Sequence, residues 1–315
     1  MASTRRLFRE FDNAIKLTTS KRDELTTSRD AIRSDIRQWL KDKDKGQARF
    51  KLQGSFAMHT VINPIDDDEF DIDDGLYLEE FEDANKEDWP ACSTVHSWVV
   101  SAVQGRTKTP PKDKNACVRV TYGHGYHVDI PIYIKLDGAA YFADKARGWT
   151  QSDAEGFVEW LDGKNDAEGQ LKRIIRYIKR WKDYCNVPLK GIELTILCAQ
   201  NFSPANGRDD DAVRYTMENV LTSLKACFEC KKPVAAWEDL FEGKSDADKS
   251  SILAKLEKLL DALISASSTP SEGDAADFLR GVFGSDFPKP DRPKNTLAYV
   301  TTSAPAVLKH DGRSG

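Results

Sequence analysis

The chain has 315 residues, with 46 basic and 51 acidic side chains and a formal charge of −5. At 40% hydrophobic and 31% charged it has the composition of a globular protein, long enough for one large domain or two packed lobes. The acidic balance disfavours wrapping of DNA or RNA, no apolar run reaches the ~20 residues of a membrane span, and the N-terminus lacks an apolar signal core. A cytoplasmic protein without a membrane partner is expected.

The first residues, 4–17, place Leu7, Phe11 and Ile15 at helical spacing. A second helix starts near Ser20-Lys21-Arg22-Asp23 and carries Ile32, Ile36 and Leu40 on one face until Gly46. From 48 to 134 the period shortens to two: Phe50 and Leu52, Phe70 and Ile72, Val118 and Val120, then Val128, Ile130, Ile132 and Ile134 predict strands, with one helix over 91–104. Beyond residue 165 helices are predicted over 167–185, 191–202, 210–229, 248–266 and 272–283. From Pro288 onward the apolar pattern fades, and a flexible tail is expected. The plan is α+β: N-terminal helices (1–47), a sheet-rich lobe (48–165), a helical lobe (166–287) and a tail (288–315). Six cysteines are scattered without a secretory signal and read as free thiols. Cys227 and Cys230 have a metal-like spacing, but the nearest candidates for two further zinc ligands are as distant as Cys92 and His96.

Candidate chemistry gathers in three places. Asp71 and Asp73, two apart on a predicted strand, share the face opposite Phe70 and Ile72. Side-by-side carboxylates repel unless a cation lies between them, and Mg²⁺ or Mn²⁺ suits carboxylate, phosphate and water oxygens. A solvated acidic loop would account for Asp66, Asp67, Asp68 and Glu69, but not for the apolar residues interleaved at 70, 72 and 76. Asp129, alone on the outer face of Val128-Asp129-Ile130, would complete a two-metal site; His127 is either its neighbour in support or a surface histidine. Gln53-Gly54-Ser55, between a strand and a helix, offers backbone N–H groups and a hydroxyl to a phosphate. Finally, residues 171–182 hold six cations and no acid, with Lys172, Arg176 and Lys179 at helical spacing, either a stripe facing a triphosphate or a solvated face.

Gly54-Ser55 with Thr60, Asp71-Ile72-Asp73-Asp74-Gly75-Leu76-Tyr77-Leu78 and His127-Val128-Asp129-Ile130-Pro131-Ile132-Tyr133 resemble the polymerase-beta-like nucleotidyltransferases, within them the cGAS/DncV-like enzymes (CD-NTases), and most the DncV-like branch. Arg176-Tyr177-Ile178-Lys179-Arg180-Trp181 with Cys185, followed by Glu193-Leu194-Thr195, is similar to the phosphate-binding helix of oligoadenylate synthetases. The resemblance implies a sheet lobe packed on a helical lobe and two Mg²⁺ ions on Asp71, Asp73 and Asp129. It implies a triphosphate held by Gln53, Gly54 and Ser55, with Arg176, Lys179 and Lys190 reaching phosphates from the helical lobe. The implied activity joins ATP, with GTP as a second candidate, into a cyclic di- or oligonucleotide such as cyclic GMP-AMP in bacterial anti-phage (CBASS) signalling. Nothing matches the spacing of the zinc-containing DNA-binding insert of animal relatives, so direct DNA activation is not expected. The alternatives are a transferase acting on an RNA, protein or small-molecule acceptor, and a catalytically idle nucleotide-binding scaffold. Some relatives are joined through a C-terminal residue to other molecules by a ubiquitin-transfer-like enzyme, which makes Gly315 a candidate attachment point.

Overall fold

Two helices begin the chain, and their apolar stripes feed different cores. The computed structural model describes residues 4–65, 70–123, 125–164, 166, 168–234 and 238–290. Helix α1 (Arg5–Ile15) buries Leu7, Phe8, Phe11 and Ile15 in the helical lobe. Helix α2 (Thr19–Asp42), capped by the Thr18 hydroxyl on Lys21 N at 3.2 Å, buries Leu25, Ile32, Ile36 and Leu40 against the sheet. Because residues 16–18 alone separate them, the N-terminal segment is anchored in both lobes.

The sheet lobe follows as β1 (Ala48–Gln53), a single helical turn α3 (Gly54–Ala57), β2 (Phe70–Leu78), α4 (Cys92–Val103), β3 (Lys112–Asp113), β4 (Val118–Tyr122), β5 (Tyr126–Ile130), β6 (Ile132–Leu136), β7 (Ala139–Asp144) and β8 (Gly148–Gln151). Its order is β3-β4-β5-β2-β6-β7-β8, with β1 antiparallel along the other edge of β2. Pro131 separates β5 from β6, so the two run as one extended stretch parallel to β2; Leu76 N donates to the Pro131 carbonyl at 2.9 Å. Helices α2 and α4 cover one face of the sheet with Ile72, Leu76, Val118, Val128 and Ile130 in a continuous core. The opposite face opens to the helical lobe.

Helices α5 (Ala154–Lys164), α6 (Gln170–Tyr184), α7 (Gly191–Gln200), α8 (Asp209–Ala226), α9 (Asp246–Ser268) and α10 (Glu272–Phe283) form that lobe. Ser245 and Ser271 cap α9 and α10. Phe8 and Phe11 of α1 meet Tyr177, Phe283 and Phe287 with ring centroids 5.0–5.9 Å apart, pinning α1 and α10 to α6.

The pattern of strands continues past residue 134, where none was expected. Asp137 and Gly138, both with positive φ, turn β6 back into β7, the conformation an Asp-Gly pair adopts in a two-residue hairpin. Helix α5 also lay outside the expected elements, because it buries only Phe157 and Leu161 and contains Gly156 and Gly163. Asp66 to Glu69 and residues 291–315, including Gly315, lie outside the described residues. Among the described residues no helix is long and apolar enough to cross a membrane.

Candidate active site

Alternation along β2 turns Asp71 and Asp73 toward the cleft and Asp74 toward α2. Parallel pairing sets Asp71 beside His127 and Asp73 beside Asp129, while β1 sets Gln53 beside Asp73. Three carboxylates from sequence positions 58 residues apart at the extremes thus meet on two adjacent strands.

Their electrostatics differ. Arg119, directly across the β4–β5 ladder from Asp129, donates Nε and Nη2 to it at 2.6 and 2.7 Å and stands 3.6 Å from Asp71. Burial works against ionised Asp71, but His127, in contact with it, together with Arg119 and Lys114, holds its carboxyl below the usual range. Asp73 has no ion-pair partner among the described residues. Burial, then the charges of Asp129 and Asp71, push it up to about 7. Cys117, beside Asp129, is pushed up to about 12 by burial and that carboxylate, and stays a thiol.

Gly54 closes the strand with φ +63, and a Cβ there would collide with Asp73 Oδ2. Only glycine brings the phosphate-type turn this close to the carboxylate. The turn's far end is gripped by three cations. Arg22 reaches the Phe56 carbonyl at 3.4 Å, Arg176 Nη1 the His59 carbonyl at 2.7 Å, and Lys179 Nζ both the carbonyl and hydroxyl of Thr60 at 3.1 Å.

A cavity of about 480 Å³ lies between the lobes. Gln53, Gly54, Ser55, Asp71, Asp73 and Lys179 all line it, joined by apolar Met58, Phe157 and Ile192 and by Thr195 of α7. A smaller one, about 260 Å³, is lined by Gln53, Asp73, Cys117, Asp129, Tyr133 and Phe142. Asp73 borders both. Lys179 is buried among α6, α7 and Thr60, and burial lowers its pKa to about 8. Arg176 goes elsewhere: its Nε donates to Asp12 at 2.7 Å, and it lines neither cavity. Lys190 is exposed at the N-cap of α7, its backbone N–H on Glu193, and lines neither cavity. Cys227 is exposed and Cys230 buried, both free thiols.

The oxygen-only donor set of Asp71, Asp73 and Asp129 fits a hard divalent ion, and the uncompensated Asp73 is the charge such an ion would relieve. As they stand, no three metal-binding side chains among the described residues form a ready cage, and Arg119 is what now neutralises Asp129. Arg119 went unread in the sequence. Pairing the alternation of 118–122 with that of 126–130 around Gly123 and Gly125 would have placed it opposite Asp129.

Known proteins share this fold. The nucleotidyltransferase domain described as cyclic GMP-AMP synthase DncV-like matches residues 48–133, the segment that holds all three carboxylates and the Gly54 turn. Residues 48–133 thus carry a DncV-like nucleotidyltransferase domain. A cyclic GMP-AMP synthase of Escherichia albertii is 31% identical over 214 residues, 63% of this chain but 47% of that protein, so the match spans about half of that relative's length. The CBASS oligonucleotide cyclase CdnC of Escherichia coli (strain KTE188) is 23% identical over 66% of this chain and 68% of its own. The DncV cyclic AMP-GMP synthase of Vibrio cholerae, solved with the linear intermediate 5' pppA(3',5')pG, superposes with a TM-score of 0.73 at 18% identity, covering 88% of this chain and 93% of that one. The DncV fold therefore extends over both lobes, well beyond residues 48–133.

Proposed function

We propose that this DncV-like protein is a Mg²⁺-dependent cytoplasmic nucleotidyltransferase that makes a cyclic di- or oligonucleotide from ATP, alone or with GTP, in CBASS signalling. One observation carries the reading: Asp73 borders both cavities, so groups bound in each would meet at one carboxylate. The larger cavity has the Gly54-Ser55 turn and Lys179 for a donor triphosphate, and apolar Met58, Phe157 and Ile192 for a base. The smaller, with Tyr133 and Phe142, admits an acceptor ribose.

A ribose hydroxyl from the smaller cavity attacks the α-phosphorus in line, a P–O bond forms, and pyrophosphate leaves toward Ser55 and Lys179. Asp71, Asp73 and Asp129 would hold the divalent ions, which when bound activate the hydroxyl and neutralise the phosphates. The chain's own contribution is positioning: β2 and β5 fix the carboxylates, Gly54 holds the turn against Asp73, and Lys179 supplies a desolvated cation. The Escherichia albertii and Vibrio cholerae relatives, named as synthases of a mixed adenine–guanine cyclic dinucleotide, support the purine assignment.

Mass spectrometry of products from the purified protein, Mg²⁺ and the four ribonucleoside triphosphates tests this. A cyclic product without any added acceptor is expected. Label that moves only onto a supplied RNA, protein or small molecule would replace it with the acceptor-modifying reading; nucleotide binding without turnover would leave a scaffold.

A further inference from the structure

Two of the three cations in the basic stripe on α6 do not line the cleft. Lys179 enters the larger cavity, whereas Arg176 and Lys172, one and two turns earlier, line a separate pocket of about 430 Å³ between α1 and the start of α6. Five cationic and two acidic side chains line that pocket, and no apolar side chain does. Two of the arginines are nearly buried, Arg173 at 7% and Arg176 at 9% exposure, so the floor is fixed before any ligand arrives.

Nearby acids offset most of this charge but leave one cation over. Asp12 accepts from Arg176 at 2.7 Å; Asp209, below the floor, takes Arg173 at 2.6 Å and faces Arg9 at 3.4 Å. Lys172 reaches Asp162 at 2.7 Å, and Glu168 stands 3.9 Å from Arg9. Five cations thus face four carboxylates, and Lys16, exposed on the α1 side, has no ion pair among the described residues. Burial first, then the charges of Arg22, Lys172 and Arg176 against that of Asp162, holds neighbouring His59 below its usual range.

We infer that this α1–α6 pocket binds a condensed phosphate such as pyrophosphate. Planar guanidinium forks pair well with phosphate oxygens, and several cations around one cavity favour a multivalent anion over a monovalent one. The absence of apolar lining excludes a base, in contrast to the cleft, where Met58, Phe157 and Ile192 provide one with a surface. Occupancy would draw on Arg176, whose Nη1 also holds the His59 carbonyl; Thr60 N in turn donates to Ser55 O at 2.9 Å, so pocket and phosphate turn share a side chain.

Pyrophosphate titrated calorimetrically into the full chain, in EDTA and without nucleotide, tests the site. Since pyrophosphate can also enter the cleft, Lys16→Glu and Lys172→Gln are compared with Lys179→Met. Each of the first two should weaken one class of site by about tenfold or more, the loss of one charge-assisted contact. Lys179→Met should leave that class intact, and inorganic phosphate should bind it more weakly than pyrophosphate. Isotherms of Lys16→Glu and Lys172→Gln that overlay the wild type, with binding abolished by Lys179→Met, would overturn the pocket and place all pyrophosphate in the cleft. Retained melting temperatures separate loss of the site from loss of the fold.

Discussion

Asp73 and Asp74 are neighbours on β2, one half-buried at the cleft and the other fully buried, and their surroundings are opposite. Asp74 faces α2, where Arg33 donates Nε and Nη2 at 2.7 and 2.5 Å, and the pair sits at the edge of the core built by Ile72 and Leu76. Asp73 faces the cleft among Asp71 and Asp129 with no cation of its own among the described residues. One turn of the strand's alternation therefore separates a carboxylate whose charge is satisfied by the fold from one whose charge is left for a ligand. The same contrast divides α6, whose Arg173 is locked to Asp209 while Lys179 is buried against uncharged Thr60. A buried charge without a partner costs the fold stability and equips a site.

The strongest way to break this comparison is Arg33→Met, which strands Asp74. Unfolding free energy should fall by about 3–5 kcal/mol in urea titrations, with ATP affinity of the folded protein little changed. A variant as stable as the parent would mean that Asp74 is as unsupported as Asp73.

Asp73→Asn should do the reverse. Turnover should drop at least about 10²–10³-fold, the scale for losing one electrostatic group at a reaction centre. Between the unfolded carboxyl pKa and about 7, folded Asp73 binds its proton more tightly than the unfolded chain does. Wild-type stability from this group therefore falls as pH rises through that window. In EDTA the asparagine variant should gain on the wild type between pH 4.5 and 7.5, read as a growing difference in urea midpoints.

Lys179→Met should cost about 1.5–3 kcal/mol of ATP binding, measured by calorimetry. Here the linkage has the opposite sense. A lysine lowered to about 8 has shed its proton in the folded state while the unfolded chain still holds one, so wild-type stability rises as pH climbs from about 8 towards the ordinary lysine range. The methionine variant should lack that rise.

The smallest effect sharpens the contrast most finely. Gly54→Ala and Gly105→Ala both place alanine at positive φ, costing about 1–2 kcal/mol each, but only position 54 adds a collision with Asp73. A drop in melting temperature shared by both reports backbone strain; loss of ATP binding confined to Gly54→Ala reports the turn's approach to the carboxylate.

Much of this was written in the chain itself. Alternation at Phe70, Ile72, Val128 and Ile130 put Asp71, Asp73 and Asp129 on outward faces, because in a strand the side-chain period is two whatever lies beside it. Helical spacing of Leu7, Phe11 and Ile15, and of the leucines in α9, likewise required only local geometry. The Asp137-Gly138 hairpin went unread, although the dipeptide carried a local conformational reason for it. Partnership was not legible. Whether Asp74 met Arg33, whether Arg119 stood across from Asp129, and whether Arg176 turned to Asp12 while Lys179 turned to Thr60 depended on elements 10 to 164 residues away. Sequence period determines which way a side chain points, but an ion pair is a property of two elements in contact. Which charges remain for a ligand was therefore decided only when the lobes packed.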